Sequence, residues 1–368
     1  MKNLRLLGFL MILASSSLLI NCTSDPVQGP PGAAGVDGID GIDSTTDCRS
    51  CHSVEHREPI QLAYSESVHG RGMLNEDGSF SQHVYGTAGT NRDACARCHS
   101  NEGFSDQIDY GSVEPGGYRL VTSISCTGCH TEHRSFNFAE DGNDFALRTL
   151  DPVTLIVDSG ITIDLANESD VLGLSNLCVN CHQPRTALPE DDGMGNYEIT
   201  SSHWGTHHNP QSTMLEGIQG VLLPGSLPYP ARASSTHRKE SSCVNCHMSE
   251  SSVATTGDHT FNPTLDACIV CHEGLTTYDN NGFQTEVQDQ LDVLAGLLAQ
   301  VQGVAPDGTT PITGIVIDND PVEGTFPIVA AGAAWNYIFV FEDKSKGVHN
   351  PAMVEALLQN SIETLQNQ

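Results

Sequence analysis

The sequence predicts a mainly α fold with little regular structure over most of its length, a small β-hairpin insert and a set of C-terminal helices. Three observations predict it. Residues 48–280 are rich in Gly, Ser, Asn and Pro, which interrupt regular elements, and they hold six copies of one short cysteine motif. Apolar and polar side chains alternate over residues 150–165. After residue 281, apolar side chains recur at helical spacing.

The first element is an export signal. Residues 1–21 begin with two basic residues and continue as an apolar stretch, which is typical of a signal peptide and too short to be a transmembrane span. Leu19-Ile20-Asn21-Cys22 resembles a bacterial lipobox, so Cys22 is the predicted lipidation site; a simple secretory signal is the alternative. By analogy with lipoprotein sorting, Thr23 favours the outer membrane, with the protein facing the periplasm or the cell surface.

A tether follows the anchor. Gly occupies every third position from Gly29 to Gly41, which is the collagen rule. Because five triplets with one Pro-Pro pair make only a marginal triple helix, residues 22–47 are predicted to be an extended collagen-like tether. In polyproline II, at ~3.1 Å per residue, it reaches up to ~80 Å from the lipid. A trimerising stalk is the alternative.

The next element is a domain over residues 48–280 that contains six Cys-x-x-Cys-His motifs. Two thiols at this spacing reach the two vinyl groups of one porphyrin, and the adjacent His supplies the proximal iron ligand, so each motif is typical of c-type haem attachment. Zinc sites of the Cys-x-x-Cys type do not require a following His. Six stacked haems would then supply the apolar core of this domain. Motifs 1 to 6 are Cys48, Cys51 and His52; Cys95, Cys98 and His99; Cys126, Cys129 and His130; Cys178, Cys181 and His182; Cys243, Cys246 and His247; and Cys268, Cys271 and His272.

Six irons need six further ligands, and histidine is in surplus. Ten histidines lie outside the motifs, namely His56, His69, His83, His133, His203, His207, His208, His237, His259 and His349. A few exposed histidines would be ordinary for a chain of this size, so the surplus predicts bis-His ligation at every iron. Met ligation would raise the reduction potentials, but the methionines have no special placement.

One insert between motifs 3 and 4 has the pattern of a hairpin. Leu150, Val153, Leu155 and Val157 alternate with polar residues, and three further apolar residues alternate after the turn sequence Asp158-Ser159-Gly160. We therefore expect a small β hairpin within residues 144–165.

Residues 281–368 contain no Cys-x-x-Cys-His motif, and their apolar pattern predicts helices. Apolar side chains from Phe283 to Val301 recur at helical spacing, and a crossover rich in Gly, Pro and Asp follows over residues 303–324. Residues 330–342 predict a second helix, and Asn350-Pro351 begins a third. The region is predicted to pack on the haem domain, with its aromatic side chains in the core.

Four segments resemble a known family. Cys126–His133, Cys243–Met248, the segment around Gly257-Asp258-His259 and the segment around Gly347-Val348-His349 resemble exported multihaem c-type cytochromes. These cytochromes are allied to the nitrite, hydroxylamine and tetrathionate reductases and to the outer-surface cytochromes of metal-reducing bacteria. The resemblance covers residues 48–368. It implies that the distal ligands are His69, His133, His237, His259 and His349, together with one of His203, His207 and His208, of which His207 is favoured; His83 is the reserve.

The function that these patterns predict is electron transfer. The nitrite-reducing relatives carry a Cys-x-x-Cys-Lys haem with an open iron, and no such motif occurs here, so the resemblance implies a carrier more than an enzyme. The formal net charge of −30 disfavours nucleic acid and suits redox partner proteins or extracellular metal acceptors. Two alternatives remain. One is a reductase of nitrogen or sulfur oxyanions with one open haem, and the other is a cytochrome filament, in which a distal His crosses between protomers.

Overall fold

The computed structural model describes residues 44–74, 80–81, 93–118, 120–134, 143–253 and 255–367. Contacts divide the chain between Ser53 and Val54 into two compact units. In the first unit, the helix Ser44–His52 (α1) contains motif 1 and begins within the segment predicted as a tether. The signal peptide, Cys22, the rest of the tether and His83 lie outside the described residues. Among the described residues, no helix is long and apolar enough to cross a membrane.

Short helices dominate the part of the second unit that holds motifs 2 to 6. They are Val54–Glu66 (α2), Val68–Arg71 (α3), Asp93–His99 (α4), Asn101–Tyr110 (α5), Cys126–Cys129 (α6), Asn176–Val179 (α7), Gln211–Glu216 (α8), Thr236–Glu240 (α9), Cys243–His247 (α10) and Leu265–Ile269 (α11). Single 3-10 turns occur at Asp258–Thr260 and Asn280–Gly282. In every motif the backbone around the two cysteines is helical, or one turn of helix follows the first cysteine. Positions i, i+3 and i+4 of a helix share one face, so both thiols and the imidazole of a motif point to the same side.

The predicted hairpin between motifs 3 and 4 is present but short. Strands Val153–Thr154 (β3) and Thr162–Ile163 (β4) pair antiparallel, with Val153 opposite Ile163. The side chain of Asp158 accepts a hydrogen bond from the amide of Gly160 at 2.8 Å, which closes the predicted turn. A second small hairpin joins Met73–Leu74 (β1) to Phe80–Ser81 (β2).

The C-terminal region contains the three predicted helices, Phe283–Leu298 (α12), Ile328–Asp343 (α13) and Pro351–Gln366 (α14). Asn350 caps the third helix, because its side chain accepts a hydrogen bond from the amide of Met353. The apolar faces of the three helices meet in the largest core, where Trp335, Phe339 and Leu357 are fully buried.

The crossover predicted over residues 303–324 contains short strands that the sequence pattern did not indicate. Five strands lie in or at the ends of this segment, namely Gln302–Val304 (β6), Pro311–Thr313 (β7), Val316–Ile317 (β8), Asp320–Pro321 (β9) and Gly324–Pro327 (β10). A further strand, Asn196–Ile199 (β5), comes from earlier in the chain. Four of these strands form an antiparallel sheet in the order β5-β10-β6-β7, and β8 pairs with β9. Since β5 comes from the segment between motifs 4 and 5, the sheet joins the motif-bearing part of this unit to the C-terminal helices.

Candidate metal centres

Five motif histidines each face one histidine from outside the motifs across a similar gap. The distances between ring centres are 6.1 Å for His99 and His207, 6.1 Å for His182 and His69, 6.2 Å for His130 and His259, 6.3 Å for His247 and His349, and 6.2 Å for His272 and His237. All five separations fall between 6.1 and 6.3 Å. Five different segments of the second unit therefore repeat one arrangement of two separated imidazoles.

The gap fits one iron between two axial ligands. An imidazole nitrogen binds a transition metal at about 2 Å, so two rings on opposite sides of one metal have centres roughly 6 Å apart. The angle between the two ring planes varies from 31° to 82°, which axial ligands tolerate because each ring can rotate about its metal–nitrogen bond. The Nε2 atom of His207 is buried and, within the described part of the chain, has no hydrogen-bond partner. A metal on the His99 side would provide that partner.

Hydrogen bonds at Nδ1 fix the orientation of these rings. His130 and His247 pair through Nδ1 with the backbone carbonyls of Phe145 and Phe261, both at 2.8 Å. The Nδ1 atom of His182 lies 3.0 Å from the side-chain oxygen of Gln211. A ring that donates from Nδ1 keeps the lone pair on Nε2, which is the nitrogen left for a metal.

Two rings that face motif histidines bind a carboxylate at Nδ1. His259 lies 2.7 Å from Asp258 Oδ1, and His349 lies 2.7 Å from Asp343 Oδ1. The two carboxylates differ in environment, because the side chain of Asp258 is 54% exposed and that of Asp343 is fully buried. His237 pairs instead with the backbone carbonyl of Val348.

Burial keeps two of the facing rings neutral. It lowers the pKa of His69 to about 4, with a further contribution from the neighbouring His182. Burial likewise lowers the pKa of His207 to about 4, and Arg185 adds to the effect. Since only the neutral imidazole can bind a metal, both rings are in the metal-binding form at neutral pH.

All twelve motif cysteines lie within the described residues, and no disulfide joins any of them there. In motif 6 the amide of His272 donates to the carbonyl of Cys268 at 2.8 Å, and in motif 4 the amide of His182 donates to that of Cys178 at 3.0 Å. These bonds wind the motif into a helical turn and bring the imidazole to the side of the first thiol.

Motif 4 lies next to three other motifs. The thiol of Cys98 in motif 2 lies 3.8 Å from the carbonyl of Asn180. Cys129 of motif 3 and Cys181 of motif 4 pack on the same apolar cluster. The amide of Val244 in motif 5 donates to Ser175, which precedes motif 4, at 3.2 Å. Motif 4 is therefore a central contact point among the motifs of this unit.

Phe261 lies between three of the histidine pairs. Its ring centre is 4.8 Å from that of His69 and 5.9 Å from that of His259, and its carbonyl pairs with Nδ1 of His247. Its φ of +56° is left-handed, which is uncommon for a residue other than glycine. In the sequence, no signal distinguishes Phe261 from the rest of the segment around His259.

Other predicted residues lie outside the five pairs. His133 Nδ1 is 3.4 Å from Asp144 Oδ1, and the ring that faces His130 belongs to His259, not to His133. His208 is bound by Glu342 at 3.1 Å and is exposed, as is His203. His52 of motif 1 lies in the first unit.

No family model matches the sequence, and no curated protein sequence matches it. Among solved structures, the chain is similar to the outer cell wall cytochrome OcwA, with 19% identity and a TM-score of 0.43, over 74% of this chain and 45% of that one. It is also similar to the undecahaem cytochrome from the S-layer of Carboxydothermus ferrireducens, with 17% identity and a TM-score of 0.43, over 84% of this chain and 40% of that one. The matched region thus spans less than half the length of either cytochrome.

Proposed function

We propose that this chain is an exported, lipid-anchored hexahaem c-type cytochrome that transfers electrons through bis-His haems. The observation that carries the proposal is the set of five facing histidine pairs, because each pair joins the proximal residue of a Cys-x-x-Cys-His motif to a second imidazole at the separation that one iron requires. Distal positions are thus assigned to His69, His207, His237, His259 and His349. His133 is proposed as a further distal ligand, because the resemblance to multihaem cytochromes implies it.

The residues of the chain explain why these sites suit transfer more than catalysis. When bound, haem supplies a one-electron couple, and the protein sets its position and potential. With a histidine on each side of the gap, an iron held there would have no coordination position left for a substrate at the five described pairs. The contacts of motif 4 with motifs 2, 3 and 5 support the proposal, because haems attached to neighbouring motifs would form a continuous route for electrons.

The stoichiometry and the spin state test this proposal. The mature protein, expressed with the haem-attachment machinery, is expected to have the mass of a chain with six covalent haems and an entirely low-spin oxidised spectrum. A fully matured protein with fewer haems would contradict a motif assignment. A permanent high-spin haem that binds nitrite or hydroxylamine would favour a reductase. A high-spin fraction that grows on dilution would favour a filament with shared ligands.

The lipid anchor has its own test. If Cys22 is acylated, the protein is expected in the membrane fraction, and Cys22→Ala is expected to release it because lipid insertion supplies the anchoring free energy. Fractionation followed by haem staining measures this. Cys22→Ala protein that stays with the membranes would contradict the lipoprotein prediction, since another contact would then hold it there.

The proposed partners are cationic redox proteins or extracellular metal ions, which the acidic chain attracts.

A further inference from the structure

Asp343 places a buried negative charge beside one of the facing rings. It is the last residue of α13, and its side chain is fully buried. One oxygen lies 2.7 Å from Nδ1 of His349, and the other accepts a hydrogen bond from the hydroxyl of Ser345. In the described part of the chain, no lysine or arginine forms an ion pair with this carboxylate. Its charge is therefore directed at His349.

Several other rings of the five described pairs bind weaker or more exposed acceptors at Nδ1. The ring opposite His349 is that of His247, whose Nδ1 pairs with a neutral backbone carbonyl. His182 pairs with the neutral amide oxygen of Gln211. The only comparable carboxylate in the described pairs is that of Asp258 on His259, and this one is more than half exposed to solvent.

Burial decides how strongly each carboxylate acts on its ring. A carboxylate that accepts the Nδ1 hydrogen bond increases the basicity of the imidazole and stabilises the higher charge of a bound metal. The interaction between two charges weakens as the effective dielectric constant rises, so water around Asp258 reduces its effect on the nearby pair. Because Asp343 is fully buried, water does not weaken the interaction between its charge and the His247–His349 pair.

We propose that Asp343 tunes the His247–His349 site, so that the haem bound there has the lowest reduction potential of the five described pairs. The inference rests on the proposed function, because it assumes that a haem occupies this gap. The carboxylate stabilises the ferric form through His349, and Asp343 is thus a positioning and tuning residue that does not itself touch the metal. The C-terminal helix region thereby controls a haem that motif 5 attaches.

The test is a redox titration of the full-length holoprotein, followed by its visible spectrum. In Asp343→Asn, which keeps the shape of the side chain and removes its charge, the reduction equilibrium of one haem is expected to shift about tenfold toward the ferrous form, or about 59 mV for one electron. The protein is expected to remain low-spin. Asp343→Glu is expected to restore a potential close to that of the unmodified protein. The matched control, Asp258→Asn, is expected to give a clearly smaller shift.

Several outcomes would overturn the inference. These are unchanged potentials in Asp343→Asn, a shift no larger than that of Asp258→Asn, or a high-spin haem, which would show that Asp343 only holds the ligand in place. If Asp343→Asn does not fold, Ser345→Ala is the second variant. Ser345→Ala removes the hydroxyl that donates to the Asp343 carboxylate, so the reduction potential of the haem at the His247–His349 site is expected to fall. An unchanged or raised potential at that haem would refute the proposal that Asp343 tunes it. Six low-spin haems in the unmodified protein would leave the proposed function intact in each case.

Discussion

Replacing His207 with Ala is expected to convert one of the six proposed low-spin haems into a high-spin haem that binds one carbon monoxide per chain. His207 faces His99 at 6.1 Å between ring centres, and its buried Nε2 has no protein partner among the described residues. Removing the ring would leave that iron with one axial ligand. His349→Ala is expected to have the same effect at motif 5, because its ring faces His247 at 6.3 Å. Electron paramagnetic resonance and carbon monoxide titration measure both effects.

The neighbouring residue is the matched control. His208 lies beside His207, with ring centres 4.8 Å apart, but it binds Glu342 and faces no motif histidine. His208→Ala is therefore expected to leave every haem low-spin and to bind no carbon monoxide. If His208→Ala creates the high-spin haem and His207→Ala does not, the assignment of the distal ligand is wrong by one residue.

Glu216→Ala is expected to destabilise the holoprotein by about 3–5 kcal/mol, because it leaves a buried guanidinium without its counter-charge. Glu216 lies at the end of α8 with its side chain only 4% exposed. Its two oxygens bind Arg232 and Arg238, each at 2.7 Å. Arg238 also donates to the carbonyl of Asp164, so this group of charges links the hairpin to the helix that positions His237. Urea unfolding followed by far-ultraviolet circular dichroism measures the loss.

The control for this prediction lies in the same group. The side chain of Arg232 is 45% exposed, whereas that of Arg238 is 11% exposed. Arg232→Ala removes a pair that water already screens, so its cost is expected to be below about 1 kcal/mol. Equal losses for Arg232→Ala and Glu216→Ala would show that the buried charge is not the cause.

The motifs, the hairpin and the C-terminal helices were predictable because their signals are local. Cysteine spacing predicts each attachment point, and the alternation around Asp158 predicts a hairpin, which the structure contains with Val153 opposite Ile163. Helical periodicity predicted α12 within a few residues of its observed end at Leu298. In these cases the neighbours in sequence are also the neighbours in the fold.

The pairing of the histidines was not predictable, because it depends on contacts between distant segments. The resemblance suggested which histidines are distal ligands, but nothing in the sequence matched His69 to His182 or His259 to His130. The four-stranded sheet was missed for the same reason, since its strands have three or four residues and the edge strand β5 comes from another part of the chain. Asp343, Gln211 and Phe261 have no sequence signal beyond their positions near helices and turns.

The distance along the chain between facing rings has a consequence for refolding. His133 follows His130 by only three residues, yet the ring that faces His130 is that of His259, far along the chain. If the motifs carry haem as proposed, short loops in the unfolded chain would close at a lower entropic cost than long ones, so nearby imidazoles would reach an iron before distant ones. Such a misplaced histidine would have to leave before the native pairs form. Because mild acid protonates free imidazoles, refolding is expected to be faster when the chain starts under those conditions.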